Sequence, residues 1–213
     1  MSTNIKQVIN EFLLSCKVEG KSYGTIECYS DKLKDFLWYA DNYDWPDDIR
    51  VITTQHLREF LAYLRENPHR FNSKCPRAMK PINSTTIQKY YRALSALFNW
   101  SINEGILETS PLVKIKVPRA EKKVIKALDS SEVNKLISSL PDTFDGIRNK
   151  AIILVLVDCG LRLGELLNIK MTDINIEQQL MRVNGKTGER VVRYGKTTWK
   201  ALRRYLKIRS NLS

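Results

Sequence analysis

The sequence predicts a mainly α-helical protein of two domains, the second of which combines helices with a small antiparallel sheet. Three observations predict this fold class. Apolar residues recur at helical spacing in four consecutive segments of the first half, a run rich in proline and lysine follows at residues 111–126, and the apolar period changes from helix to strand at residues 174–194. We therefore predict a helical domain over residues 1–110, a basic linker over residues 111–126 and an α+β domain over residues 127–213.

The four helices of the first half are bounded by residues that start or stop helices. Their predicted limits are Ile5 to a stop near Gly20, a cap at Thr25 to a polar cluster at residues 41–46, about Thr54 to Asn67, and Ser84 or Thr85 to a stop at Gly105. Three prolines between the third and the fourth helix predict a loop there. This arrangement is typical of a small helical bundle.

The second half begins with helices and then changes to strands. A helix start is predicted at residues 129–132, and a second helix from Gly146 is apolar nearly all round at residues 151–157, which predicts a place in the centre of its domain. After a short helix through residues 166–167, residues 174–176, 180–183 and 190–194 are predicted as strands, with a tight turn at Asn184-Gly185. Residues 196–209 return to helical spacing.

The charge is strongly basic and unevenly distributed. The chain has 35 Lys and Arg against 23 Asp and Glu, a net charge of +12, of which +10 falls on residues 116–213. Such a surface attracts a polyanion, so nucleic acid is the predicted partner. A solvated basic face that keeps the protein soluble explains the composition equally well.

Other features exclude several classes of protein. No apolar run approaches the roughly 20 residues of a membrane helix. The four cysteines are scattered without a C-x-x-C pair, and there are two histidines, which disfavours disulfides and a structural zinc site. We expect a cytoplasmic protein without a metal, a cofactor or a membrane partner.

Two basic residues are candidates for chemistry. Arg162 directly follows the most apolar helix, where a guanidinium needs an anionic partner from the protein or from a ligand. A structural salt bridge to Glu165 or Asp158 is the simpler explanation of that residue on local features. Lys186 follows Asn184-Gly185 between two basic strands, where it can reach a nucleic acid, although lysine is also common at exposed turns.

The ordered combination of these segments resembles the tyrosine recombinases, including phage integrases and Xer-type recombinases. The resemblance covers nearly the whole chain and is carried by the helical bundle, the basic linker, G-L-R-L-G-E-L-L-N-I-K-M-T-D-I at residues 160–174 and V-N-G-K-T-G-E-R-V-V at residues 183–192. It implies a SAM-like four-helix core-binding domain and an α+β catalytic domain that together clamp duplex DNA. It also implies that this catalytic domain is incomplete here, with residues 127–213 as its N-terminal portion, and that other recombinase protomers are partners.

The resemblance also implies roles for particular residues. Arg162 matches the first catalytic arginine, which binds the scissile phosphate, and Lys186 matches the hairpin lysine, which protonates the leaving 5′ oxygen. Glu165 matches a glutamate that supports the arginine, and Asp173 matches a structural aspartate. The residues expected to contact DNA are the cations of the linker and the hairpin: Lys114, Lys116, Arg119, Lys122, Lys123, Arg182 and Arg190.

The chain departs from the family pattern after the hairpin. The family's H-x-x-R box and nucleophilic tyrosine do not occur there, because both histidines, His56 and His69, lie in the first half, and Tyr194 and Tyr205 fall on a predicted strand and helix. We therefore expect the chain not to recombine DNA by itself. It is either part of a longer recombinase, a truncated gene product or a non-catalytic accessory protein that occupies recombination sites. A helical protein-interaction module with an incidental basic tail is a further alternative.

Overall fold

The computed structural model describes residues 3–67, 71, 82–119, 124, 126–185 and 188–210. Within these ranges the chain forms eight α-helices and a three-stranded antiparallel sheet, in two units that divide after Val124. The predicted fold class is confirmed, since the protein is mainly helical and the sheet lies in the second unit. No helix in the described ranges is long and apolar enough to cross a membrane.

The first unit is built from four helices. These are α1 (Ile5–Val18), α2 (Tyr23–Asn42), α3 (Thr54–Glu66) and α4 (Ser84–Asn103). Helices α1, α3 and α4 start after a polar residue whose side chain accepts a backbone N–H of the first turn, namely Asn4, Thr53 and Asn83. The predicted cap at Thr25 is wrong, because α2 begins at Tyr23 and Thr25 lies inside it.

The apolar faces of these helices close on one core. Leu33, Phe36 and Leu97 are among its fully buried members, and burial of such a side chain contributes roughly 1.5–3 kcal/mol. One ionisable pair lies beside this core: the Tyr90 hydroxyl donates to the Asp35 carboxyl at 2.5 Å, and burial raises the pKa of Asp35. Asp35 is therefore an acid that the fold partly desolvates.

The segment predicted as a linker is held on the first unit at its start. Leu112 is 4% exposed and belongs to the core. Three side chains donate hydrogen bonds to backbone carbonyls of this segment: Thr54 to Pro111 at 2.8 Å, Tyr91 to Ile115 at 3.0 Å and Gln88 to Pro118 at 2.6 Å. Residues 111–118 therefore follow the surface of this unit.

The second unit begins with α5 (Ser130–Ser138), which starts where the sequence predicts. The Asp129 side chain accepts the backbone N–H of Glu132 at 2.9 Å, and the Glu132 side chain accepts that of Asp129 at 2.9 Å. This reciprocal pair satisfies two N–H groups that a helix start leaves free.

Helix α6 (Phe144–Cys159) is less buried than its sequence predicts. Ala151 and Val155 are 2% and 3% exposed and face the core, but Val157 is 58% exposed. The prediction that this helix lies in the centre of its domain is wrong for the described residues. A helix that is apolar on every face can be buried on any of them, but the elements that pack against it decide which face is buried.

Three strands follow the short helix α7 (Leu163–Leu167) and a 3-10 turn at Met171–Asp173. Strands β1 (Ile174–Asn175), β2 (Leu180–Gly185) and β3 (Gly188–Arg193) pair antiparallel in that order. The predicted turn at Asn184-Gly185 is wrong, since both residues pair with β3, opposite Glu189 and Gly188.

The sheet and the last helix complete the core of the second unit. Helix α8 (Lys196–Ser210) packs on α6, and Leu202 on α8 is 6% exposed. Met181 and Val183 on β2 and Tyr194 just after β3 are no more than 2% exposed and join the same core. Alternate residues of the hairpin therefore point into this core, which fixes the register of the strands.

Candidate functional site

Arg162 lies in a tight turn between α6 and α7. Gly160 ends α6 in the left-handed conformation, with φ of 58°, which glycine adopts without a steric penalty. Leu161 is 9% exposed and packs in the core, and Arg162 is the N-cap residue of α7. The turn therefore brings the arginine out of the core within two residues of a buried helix.

A buried carboxylate organises the turn. Glu165 is 4% exposed. Its Oε2 accepts the backbone N–H of Arg162 and an Nη2–H of Arg190, and its Oε1 accepts an Nη1–H of Arg162, each at 2.9 Å. These bonds lower the pKa of Glu165 to about 2, and the backbone bond from Arg162 is the largest cause. The carboxylate is ionised at neutral pH and is shared by two guanidinium groups.

Arg162 is both paired and accessible. Its side chain is 67% exposed although one nitrogen is bonded to Glu165. Among the described residues, its remaining guanidinium N–H groups have no protein acceptor. Of the two salt-bridge partners that the sequence suggests for Arg162, Glu165 forms the bond. Asp158 instead accepts the backbone N–H of Gly195. The bond to Glu165 leaves donors of Arg162 free to meet an anion.

The end of strand β2 touches the same carboxylate. A Cβ atom placed on Gly185 would lie 2.5 Å from Oε1 of Glu165, which is closer than nonbonded atoms approach. The absence of a side chain at Gly185 therefore lets the hairpin come this close to the Arg162 turn. Lys186 lies outside the described residues, and covalent connection makes it the neighbour of Gly185.

A groove of about 690 Å³ opens at this point of the second unit. It is lined by Arg162, Glu165, Lys170, Arg182 and Gly185, among other residues. Arg182 is 60% exposed and pairs with Glu189 at 3.2 Å across the hairpin. The groove is thus lined by both cations and carboxylates, the latter being Glu165, Asp173 and Glu189.

The predicted DNA-contacting residues of the linker belong to a different part of the chain. Lys114, Lys116 and Arg119 are exposed on the first unit. Lys122 and Lys123 lie outside the described residues. The anchored carbonyls of residues 111–118 hold the first two lysines at the surface of that unit.

Comparison with known proteins identifies the family. A model of the phage integrase family matches residues 126–213, and a model of the phage integrase N-terminal SAM-like domain matches residues 8–108. Tyrosine recombinase XerD of Listeria innocua is 28% identical over 205 residues, which are 95% of this chain and 65% of that protein. The chain belongs to the tyrosine recombinase family. It spans 62 to 65% of the length of the first curated relatives that it matches.

Solved structures of integrases share the fold. The chain superposes on the Tn1549 transposon integrase in complex with transposon right end DNA with a TM-score of 0.72, at 15% identity over 96% of this chain and 65% of the other. It superposes on a lambda integrase tetramer bound to a Holliday junction with a TM-score of 0.66, at 20% identity over 90% of this chain and 51% of the other. At these identities the likeness concerns the fold.

Two tyrosines of the second unit, Tyr194 and Tyr205, have structural surroundings. Tyr194 is 2% exposed, and its hydroxyl donates to the carbonyl of Asn175 at 3.1 Å. Burial also raises the pKa of the Tyr194 hydroxyl above its usual value. Tyr205 is half-buried, and the centroid of its ring lies 5.9 Å from that of Phe144. In the described ranges no group of three or more His, Cys, Asp or Glu side chains could hold a metal ion.

Two features of the site are not predicted by the sequence. The predicted role of Arg190 is a DNA contact, and nothing in the sequence indicates its bond to Glu165, which lies 25 positions earlier. The Asn184-Gly185 pair predicts a turn, whereas Gly185 lies in a strand beside Glu165. A glycine inside a strand often marks a close approach by another group, and that signal was present.

Proposed function

We propose that this chain forms the DNA-binding and phosphate-binding part of a site-specific tyrosine recombinase that breaks and rejoins DNA. One observation carries the proposal. The exposed guanidinium of Arg162 is anchored on the buried Glu165, and the residue that precedes Lys186 contacts that same carboxylate. The turn and the hairpin that carry the two candidate catalytic side chains therefore meet at one point.

The proposed chemistry follows from the donors that these side chains offer. Arg162 binds nonbridging oxygens of the scissile phosphate, where a planar guanidinium can donate two parallel hydrogen bonds to charge that grows in the transition state. Lys186 donates a proton to the leaving 5′ oxygen. Glu165 orients Arg162 and takes no part in the bond changes.

The proposed substrate is duplex DNA, bound by more than one protomer. The net charge of +12 supports a polyanionic partner, and the structurally similar integrases named above are bound to DNA, one of them as a tetramer. We assign phosphate contacts to Lys114, Lys116, Arg119, Lys122, Lys123 and Arg182. Arg190 belongs to the same predicted set, although its guanidinium is bonded to Glu165.

We further propose that this chain does not cleave DNA by itself. No histidine follows position 69 in this sequence, so it contains no H-x-x-R box after Lys186, and its two last tyrosines sit in structural surroundings. The same observation favours a second candidate function, in which the chain is an accessory protein that occupies recombination sites without cutting them.

Binding to a duplex at several salt concentrations tests the proposal. Each phosphate contact contributes a slope of about −0.9 to the plot of log affinity against log salt. We expect a steep slope for the wild type, and a slope about 0.9 shallower for Arg162→Ala with most of the affinity kept. Arg148→Ala, which removes an arginine paired with Asp145 at the start of α6, is the matched control and should leave the slope unchanged.

Two results would contradict these proposals. Binding that does not depend on salt, or an unchanged slope for Arg162→Ala, would remove the phosphate-binding role. A covalent complex with a nicked suicide duplex would show that a nucleophile is present in the chain.

A further inference from the structure

We propose that Arg190 and Gly185 are positioning residues, which fix the β2–β3 hairpin against the Arg162 turn by closing on the buried Glu165 carboxylate. The inference rests on the proposed function for the importance of bringing Arg162 and Lys186 together. The connection itself is a property of the second unit and can be measured without DNA.

Arg190 bridges both ends of the turn that carries Arg162. Its Nη2 lies 2.9 Å from Oε2 of Glu165, at the end of the turn, and 3.5 Å from the carbonyl oxygen of Gly160, at its start. Arg190 pairs with Val183 in the sheet, and Val183 is 1% exposed. The guanidinium therefore connects a strand pair that packs in the core with both ends of the turn that carries Arg162.

Gly185 closes the other side of the carboxylate. Oε1 of Glu165 bonds to Arg162 and faces Gly185, whereas Oε2 bonds to Arg190 and to the backbone of Arg162. Contacts from the turn and from both strands of the hairpin thus enclose Glu165, whose side chain is 3% exposed. A methyl group at Gly185 would occupy space that the carboxylate fills.

This role for Arg190 differs in its consequences from a phosphate contact. Without Arg190, Glu165 keeps both of its bonds to Arg162, so we expect the turn to keep its shape while the hairpin loses the polar attachment that Arg190 provides. A phosphate contact would change DNA binding and leave the carboxylate of Glu165 as it is.

Arg190→Gln tests the inference, with Arg193→Gln as the matched control. Arg193 lies on the same strand, is exposed and carries the same charge, and none of its described side-chain contacts involves Glu165. The side-chain carboxyl signal of Glu165 is followed by NMR from pH 1.5 to 6 in the full chain. We expect the pKa of Glu165, about 2 in the wild type, to rise in Arg190→Gln, to stay in Arg193→Gln and to be partly restored in Arg190→Lys.

Amide exchange of the hairpin gives a second readout. A hydrogen bond to a charged group is strong enough that its loss should speed exchange in β2 and β3 roughly tenfold in Arg190→Gln. Gly185→Ala should move the Glu165 carboxyl and Arg162 guanidinium signals, whereas Gly164→Ala should not, since a Cβ at Gly164 meets open space. If Gly185→Ala fails to fold, the Arg190 series still decides.

The inference is overturned if Arg190→Gln and Arg193→Gln give the same Glu165 pKa and the same exchange rates. It is also overturned if Arg190→Gln leaves both unchanged but makes the salt dependence of duplex binding about 0.9 shallower, because Arg190 would then contact a phosphate. Failure of the wild type to bind a duplex would contradict the proposed function and leave these readouts intact.

Discussion

Gly146, in the first turn of α6, allows a sharp test of how the second unit is packed. A Cβ atom there would lie 1.9 Å from the carbonyl oxygen of Pro141 and 2.9 Å from its carbonyl carbon. Carbon and oxygen atoms in contact are normally about 3.3 Å apart, so Gly146→Ala must displace backbone by more than an ångström. Overpacking of this kind costs about 1–3 kcal/mol or more, while replacing a helical glycine by alanine returns at most about 1 kcal/mol.

We therefore expect Gly146→Ala to lower the free energy of unfolding of the second unit by about 2 kcal/mol. For a unit of about 90 residues this corresponds to a fall in Tm of roughly 8–16 °C. Differential scanning calorimetry of the full chain measures the change, and amide NMR assigns it to the second unit. Gly164→Ala is the matched control, because a Cβ at Gly164 has no neighbour within 4 Å.

The two variants make the same change to the unfolded chain, so their difference isolates the collision with Pro141. Gly164→Ala should keep or raise the Tm by up to the equivalent of about 1 kcal/mol. Equal Tm values for Gly146→Ala and Gly164→Ala would refute the reasoning, since they would mean that the Pro141 carbonyl does not confine α6.

Four further substitutions have expected outcomes. Burial raises the pKa of Asp35, so its ionised carboxyl lowers the stability of the first unit above that pKa and has no such effect below pH 3.8. Asp35→Asn should therefore raise the urea midpoint of the first unit at pH 7, and this gain should be lost near pH 3. Val155→Ala should lower the free energy of unfolding by about 2 kcal/mol, whereas Val157→Ser, at a position 58% exposed, should change it by no more than about 0.5 kcal/mol. A large loss of stability for Val157→Ser would show that this face of α6 is covered. Tyr91→Phe removes the bond to the carbonyl of Ile115 and should speed tryptic cleavage within residues 111–119, and unchanged cleavage would show that this bond does not hold the segment.

Features set by short-range interactions were predicted well from the sequence. The reciprocal pair of Asp129 and Glu132 starts α5 as expected, since both partners lie within one turn. Gly160 ends α6 in the left-handed conformation, which is another requirement that depends only on the local sequence. The helical and strand periods likewise gave the fold class.

Features set by distant partners were predicted poorly. The burial of α6 depends on which elements pack against it, so the exposure of Val157 could not be inferred from the helix itself. The Asn184-Gly185 pair favours a turn locally, yet the register of β2 on β3 places both residues in the strand. The contact of Gly185 and Arg190 with Glu165 spans 20 and 25 positions, which no spacing rule covers.

The enclosure of the Glu165 carboxylate separates hairpin positions that can be redesigned freely from those that contact it. Arg182, Asn184 and Val191 are exposed on the strands, so a library randomised there should leave the core undisturbed and would test the proposed contact of the hairpin with DNA. Glu165, Gly185 and Arg190 depend on one another for shape and charge, so each should be kept constant or all three should be varied together.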